Sequence, residues 1–166
     1  AKTPLVSRWG HILMRRALAS RLAAPQDMDP VEFAALRAEA LNAMGEYSVA
    51  RALIQDVDTG NWSPQLAQAA LTAFIAEADP LGVCSYLRFQ GVPESEGERA
   101  AHWALTSAIC EAYEGEGARA NARLERALNE EEAPAIDVLL ARRFAGAAGR
   151  GRRAVSIEWD GVTRLN

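Results

Sequence analysis

From Asp29 the chain reads DPVEFAALRAEALNAM, in which Phe33, Leu36, Ala40, Leu41 and Met44 recur every three or four positions and Glu32, Glu39 and Asn42 lie between them. That period matches one face of an α-helix, and Asp29-Pro30 supplies the cap and first-turn residue that start one. Gly45 ends the pattern. It resumes at once through Tyr47, Ala50, Leu53, Ile54 and Val57, so the spacing predicts two antiparallel helices joined by a tight turn.

The same punctuation recurs along the chain. An earlier helix is expected from Thr3-Pro4, with Leu5, Trp9, Ile12 and Leu22 on one face, ending near Ala24-Pro25. Asn61 and Ser63-Pro64 predict the start of a fourth helix carrying Leu66, Ala70, Ala73 and Phe74. Asp79-Pro80 predicts its return partner, running to Leu87 or Phe89. GVPESEG reads as a loop, followed by a helix from about Glu98 to Tyr113, a turn at Gly115 to Gly117, and a return through Ala120, Leu124 and Leu128. Pro134 opens an eighth helix that runs out in GAAGRGRR. In the final AVSIEWDGVTRLN, Val155, Ile157 and Trp159 alternate as an extended segment does; it either docks on the last helix or begins a further module.

The predicted turns at Gly45, Asp79-Pro80, Gly115 and Gly149 are about 35 residues apart. At twice that interval Gly45 pairs with Gly115, Ala50 with Ala120, Ile54 with Leu124, Pro64 with Pro134 and Phe74 with Phe144. This period resembles that of the tetratricopeptide repeat family, whose second helix carries A-x3-F. Ala50 with Ile54, and Ala120 with Leu124, stand at that motif, and Ala38 and Leu41 at the small residue and aromatic of the first helix. Ala34 and Arg37 replace the first-helix tryptophan and leucine, and the prolines come two residues late. The resemblance covers about residues 30 to 145. It implies an all-α fold of stacked antiparallel hairpins, an α-solenoid of seven to eight helices, over residues 1–148, with a basic linker and extended tail at 149–166.

Composition supports helix: 34 of the 166 residues are alanine, which carries the highest helix propensity. No apolar run approaches the length of a membrane span, so no membrane partner is expected. The net charge of -4 argues against nucleic acid as partner, because phosphate binding needs a basic field. Charge is nevertheless uneven. From Ala133 onward six arginines stand against three acids, leaving +3 there and -7 on the remainder.

Candidate chemistry is sparse. His11 and His102 lack metal-ligand spacing, and Glu98 with His102 falls on a face expected to be solvated; no metal or cofactor is expected. The acidic clusters PESEGE and NEEEAP have no histidine or apolar pocket beside them to raise a carboxyl pKa, and GAAGRGRR lacks the order of a phosphate loop. Trp9, Trp62 and Trp103 are expected to pack at helix starts or hairpin junctions. Cys84 and Cys110 fit no zinc or redox spacing. Their positions on successive helices differ by roughly 9 Å at 1.5 Å per residue, so two buried thiols are expected, with a Cys84–Cys110 disulfide as the alternative.

No catalytic constellation emerges, and the chain reads as a non-enzymatic interaction module. The family resemblance implies that first helices of the hairpins line a face for a protein or peptide partner. On helices two, four and six those positions are Glu32, Glu39, Asn42, Gln65, Gln68, Thr72, Arg99, His102 and Thr106. The alternative is a spacer within a larger α-superhelix whose enzymatic part lies outside this segment. Helix one has no upstream partner here, and self-association through the ends would then be expected.

Overall fold

The computed structural model describes residues 7–148, and all regular structure among them is helical. Eight α-helices follow in order among these residues: α1 Arg8–Ala19, α2 Pro30–Ala43, α3 Tyr47–Gln55, α4 Pro64–Ala76, α5 Cys84–Gln90, α6 Gly97–Tyr113, α7 Gly117–Asn129 and α8 Ala135–Ala148. Short 3-10 turns occupy Thr59–Asn61 and Pro80–Val83. The chain divides into two compact units, Ala1–Gly91 and Val92–Asn166, the division falling at the GVPESEG loop.

In the first unit the helix starts obey their local chemistry. Asp29 Oδ1 accepts the backbone N–H groups of Val31 and Glu32, and Ser63 Oγ accepts that of Leu66, each followed by proline in the first turn. These bonds satisfy donors that the helix cannot pair internally. α2 packs against α3 and α4, and α3 against α4. The core between them is Leu41, Ile54, Leu66, Leu71 and Phe74, interleaved with Ala34, Ala35, Ala38, Ala50, Ala67, Ala70 and Ala73. Alanine has no rotamers to lose on burial and lets helix axes approach closely.

Chain reversal depends on residues held in the left-handed region. After α2, Gly45 takes φ 77°; its N–H donates to Asn42 O at 3.0 Å, and the N–H of Glu46 to Leu41 O at 2.9 Å. After α6, Gly115 takes φ 98°, and the N–H groups of Gly115 and Glu116 donate to Ala112 O at 3.2 Å and Glu111 O at 2.9 Å. Both are Schellman ends, in which the two residues after the cap bond back to the last turn. The 70-residue repeat read from the sequence is thus a repeat of backbone geometry at these corners. Ala78 repeats it without glycine: φ is 55°, and Asp79 N–H donates to Phe74 O at 2.8 Å. Glu131, φ 52°, does so after α7, with Glu132 N–H donating to Ala127 O at 3.1 Å.

Several expectations are corrected. α1 begins at Arg8, where Ser7 Oγ accepts the N–H of Gly10, and stops at Ala19, well short of Ala24. The stop has a visible cause: Arg37, only 7% exposed, donates Nε to Leu18 O at 2.9 Å and Nη2 to Leu18 O and Ser20 O, occupying the last carbonyls. None of α1 is buried, and Trp9, expected to pack, is 75% exposed; Leu22 is exposed too. In α2 the expected stripe is displaced, because Leu36 faces solvent while Ala34, Ala35, Arg37 and Ala38 are buried between several neighbours. Residues 80–90 are not one α-helix. Asp79 makes no side-chain cap; its carboxylate accepts from Arg51 Nη2 at 2.5 Å, and a 3-10 turn precedes the seven-residue α5.

In the second unit α6, α7 and α8 pack pairwise around Leu105, Ile109, Ala112, Ala120, Leu124, Val138, Ala141 and Ala145. Glu111 on α6 accepts from Arg123 Nη1 at 2.5 Å and lies 3.6 Å from Arg119 Nε, tying α7 to α6. The predicted tail, with Val155, Ile157 and Trp159, lies outside the described residues.

Ala78 and Glu131 hold a conformation that costs an L-residue about 1 kcal/mol. Ala78→Gly and Glu131→Gly should therefore each raise stability by up to about that amount, less the added freedom of the unfolded chain, whereas Gly45→Ala should lower it by about 1 kcal/mol. Urea midpoints of the three variants measure this; a midpoint for Gly45→Ala equal to that of the parent would contradict it.

Candidate interaction face

α2 and α4 are the elements that assemble the expected stripe in the first unit. Because they pack side by side, residues 26 apart in sequence meet: Gln65 Nε2 donates to Glu39 Oε1 at 3.1 Å across exposed surface. One turn further along α2, Asn42 Nδ2 donates to Ala69 O at 2.8 Å. Asn42 Oδ1 is buried and accepts no hydrogen bond among the described residues, so this amide acts chiefly as a clamp between the helices. Glu32 lies exposed in the first turn of α2 and Thr72 exposed on α4, its hydroxyl donating to Gln68 O at 3.2 Å. Gln68 itself is half-buried. Of the expected residues, Glu39 and Gln65 are brought into contact, Glu32 and Thr72 are exposed on α2 and α4, Gln68 is half-buried, and Asn42 bonds to the α4 backbone.

In the second unit Arg99 is exposed and His102 half-buried on α6, but Thr106 is 2% exposed and cannot present its hydroxyl to a partner. The reason is the burial of α6 on more than one side: Trp103, Leu105, Ala108, Ile109 and Cys110 surround that position. A single polar residue in an apolar run does not mark a solvent face, and the stripe on α6 ends at His102.

Sequence reasoning missed three charged arrangements. His11 Nε2 and Arg15 Nε, one turn apart on α1, donate to the two oxygens of Glu46, each at 2.7 Å. Glu46 follows Gly45, so the corner that reverses the chain also aims a carboxylate at α1. Its pKa is lowered, first by the His11 hydrogen bond and then by Arg15. The i, i+4 placement of His11 and Arg15 was the available signal; the partner 31 to 35 residues away was not visible. Arg51, besides holding Asp79, lies 5.1 Å over the Phe74 ring. Arg37 lies 5.4 Å over Phe33, and burial lowers its pKa. A groove of about 770 Å³ opens beside Arg37, where α1 stops short and leaves Val49, Ala52 and Leu53 partly uncovered.

The aromatic expectation holds for two side chains. Trp62 is buried, donating Nε1 to Val57 O at 3.0 Å and stacking on Tyr86 with centroids 6.1 Å apart, and Trp103 is fully buried in α6. Neither Cys84, which opens α5, nor Cys110, in α6, is a free thiol, which overturns the expectation of two buried thiols. The 9 Å offset assumes that the two cysteines lie on long helices packed side by side, but Cys84 is the first residue of an α5 only seven residues long. Among the described residues no group of three or more His, Cys, Asp or Glu is placed to hold a metal ion, and no helix is long and apolar enough to cross a membrane.

No family model, no curated protein and no solved structure matches this chain. Its reading therefore rests on its own geometry.

Thiol titration of the denatured, unreduced chain should return no reactive thiol, and two after reduction. The lowered Glu46 pKa contributes stability that is present above the unfolded carboxyl value, about 4.3, and lost as pH falls through the folded value. Glu46→Gln should therefore be less stable than the parent at pH 7, and the gap should narrow below about pH 4. A gap independent of pH would show that the pair contributes nothing through charge.

Proposed function

We propose that this chain is a non-enzymatic interaction module that holds a peptide or extended protein segment on the α2–α4 face of its first unit. The observation that carries this reading is that α2 and α4 meet through the exposed Gln65–Glu39 hydrogen bond and the Asn42–Ala69 bond one turn further along, with Glu32 and Thr72 exposed on the same two helices. Such a surface offers amide and carboxylate groups on a rigid support, suited to the unpaired backbone N–H and C=O groups of an extended ligand. The tetratricopeptide-like reading agrees with this use of first helices, and the glycine-cornered hairpins at Gly45 and Gly115 support it. The net negative charge of the chain favours a partner segment carrying lysine or arginine.

A second reading, a spacer within a larger helical assembly, is supported by α1. Trp9 and Leu13 lie one turn apart on its outer face, both exposed, as they would where another helix packs.

Selection of a random peptide library on the whole chain, followed by titration, tests the first reading. Selected peptides should be basic, and Glu39→Arg with Gln68→Arg should raise their Kd at least about tenfold, or about 1.4 kcal/mol. Arg126→Ala, on exposed α7, should not. Peptides indifferent to the α2–α4 change would sink this face.

A further inference from the structure

None of the twelve residues of α1 is buried, so this helix is not held by a share of the core. What holds it is polar: His11 Nε2 and Arg15 Nε donate to Glu46, and Arg37 donates to Leu18 O and Ser20 O at the C-terminal end. Because His11 and Arg15 lie one turn apart on a single face, these bonds fix which side of α1 turns toward α2 and α3. The opposite side is left to solvent. At about 100° per residue, Trp9, Leu13 and Ala17 span an arc of roughly 80° centred opposite His11 and Arg15. Trp9 is 75% exposed, Leu13 65%, and Met14, next to that arc, 45%.

Charge singles out the same helix. Residues 7–26 carry four arginines, Arg8, Arg15, Arg16 and Arg21, and no aspartate or glutamate, in a chain whose net charge is -4. Arg15 pairs with Glu46, whereas Arg8, Arg16 and Arg21 are exposed and make no ion pair among the described residues. Arg16 borders the apolar arc beside Trp9, and Arg8 stands further round the same flank. An exposed apolar arc that contains a tryptophan and is edged by unpaired arginines is the pattern of a helix that lies in a lipid–water interface, its apolar side at the acyl boundary and its cations among the headgroups. The long arginine stems let the guanidinium groups reach that level from the edge of the arc. A further helix packed on Trp9 and Leu13 would use the apolar side chains and leave the arginines without a role, whereas an anionic lipid surface uses both.

We propose that the outer face of α1 docks on an anionic lipid surface, with Trp9, Leu13 and Met14 entering the interface and Arg8 and Arg16 pairing with anionic headgroups. The bonds from α1 to Glu46 and Arg37 carry the first unit with it. That no helix among the described residues is long and apolar enough to cross a membrane does not bear on this contact, because a helix lying along the surface needs no spanning length. The proposal is independent of peptide binding on α2 and α4.

Co-sedimentation of the whole chain with vesicles tests it. The chain should partition onto vesicles of equimolar phosphatidylglycerol and phosphatidylcholine, and at least about tenfold less onto pure phosphatidylcholine. Trp9→Ser with Leu13→Ser, both at exposed positions, should abolish binding. Arg8→Gln with Arg16→Gln should weaken it about twentyfold, roughly fivefold for each arginine near the surface, whereas Arg126→Gln on α7 should leave it unchanged. A second measurement needs no disruptive variant: with brominated acyl chains in the anionic vesicles, tryptophan fluorescence of the bound chain should be quenched, and Trp9→Phe should remove the quenching while the chain stays bound. Equal partitioning onto both vesicles, no partitioning onto the anionic ones, or quenching that survives Trp9→Phe in full would overturn the proposal. So would a doubling of mass without lipid that Trp9→Ser with Leu13→Ser abolishes, because a second copy would then be the cover.

Discussion

Reversing a helical chain in one or two residues requires a backbone conformation that L-amino acids resist, and the rest of this molecule depends on meeting that requirement. Four helix ends place a residue in the left-handed region and return the N–H of the next residue to the carbonyl five positions back. The bond satisfies a carbonyl that would otherwise be orphaned. It also fixes the direction in which the following helix leaves, so α3 falls back on α2 and α7 on α6. Gly45 and Gly115 accept that conformation without steric cost, whereas Ala78 and Glu131 accept it because the packing on either side over-determines the turn.

Once the corners are set, alanine decides how near the helices come. A buried alanine contributes little apolar area, but it loses no side-chain freedom and leaves no ridge to separate the axes. Large side chains are then needed only at a few points: Leu41, Ile54, Leu66 and Phe74 in the first unit, Trp103 and Leu124 in the second. Close axes leave little room for water, so polar groups at the contacts must find protein partners. Asn42, Arg37 and Arg51 do so through backbone carbonyls or a carboxylate, and two of these arginines also cover an aromatic ring.

The helices were legible because their signals are local. Asp29-Pro30, Ser63-Pro64, Gly45 and Gly115 act within one turn, and each stands at the helix end that its chemistry predicts. Faces were harder to read. In α2 the alanines, which carry little apolar signal, are the buried residues, so weighting by Phe33 and Leu36 rotated the stripe away from its true position. The end of α1 was hidden because the arginine that occupies its last carbonyls comes from 17 residues further along the chain. Ala78 and Glu131 gave no warning at all, since nothing in an alanine or glutamate marks positive φ. Of the expected stripe, spacing gave the exposure of Glu32, Glu39, Gln65 and Thr72, but not the burial of Thr106, whose helix packs on both α7 and α8.

Exposure on an amphipathic helix carries information only relative to how many faces its sequence makes apolar. A single polar-backed helix such as α7, with Ala120, Leu124 and Ala127 on one side, is complete once that side is covered. α1 and α8 are different: α1 presents Trp9 and Leu13 outward while its inner side is held mainly by polar bonds to Glu46 and Arg37, and α8 presents Leu140 and Phe144 outward over a well-packed inner face. Burying such a face is worth roughly 25 cal/mol for each Å² taken from water, a gain open to any apolar segment that can reach it. For α1 the polar bonds on the inner side orient the helix without enclosing its outer face, where Trp9 stays 75% exposed.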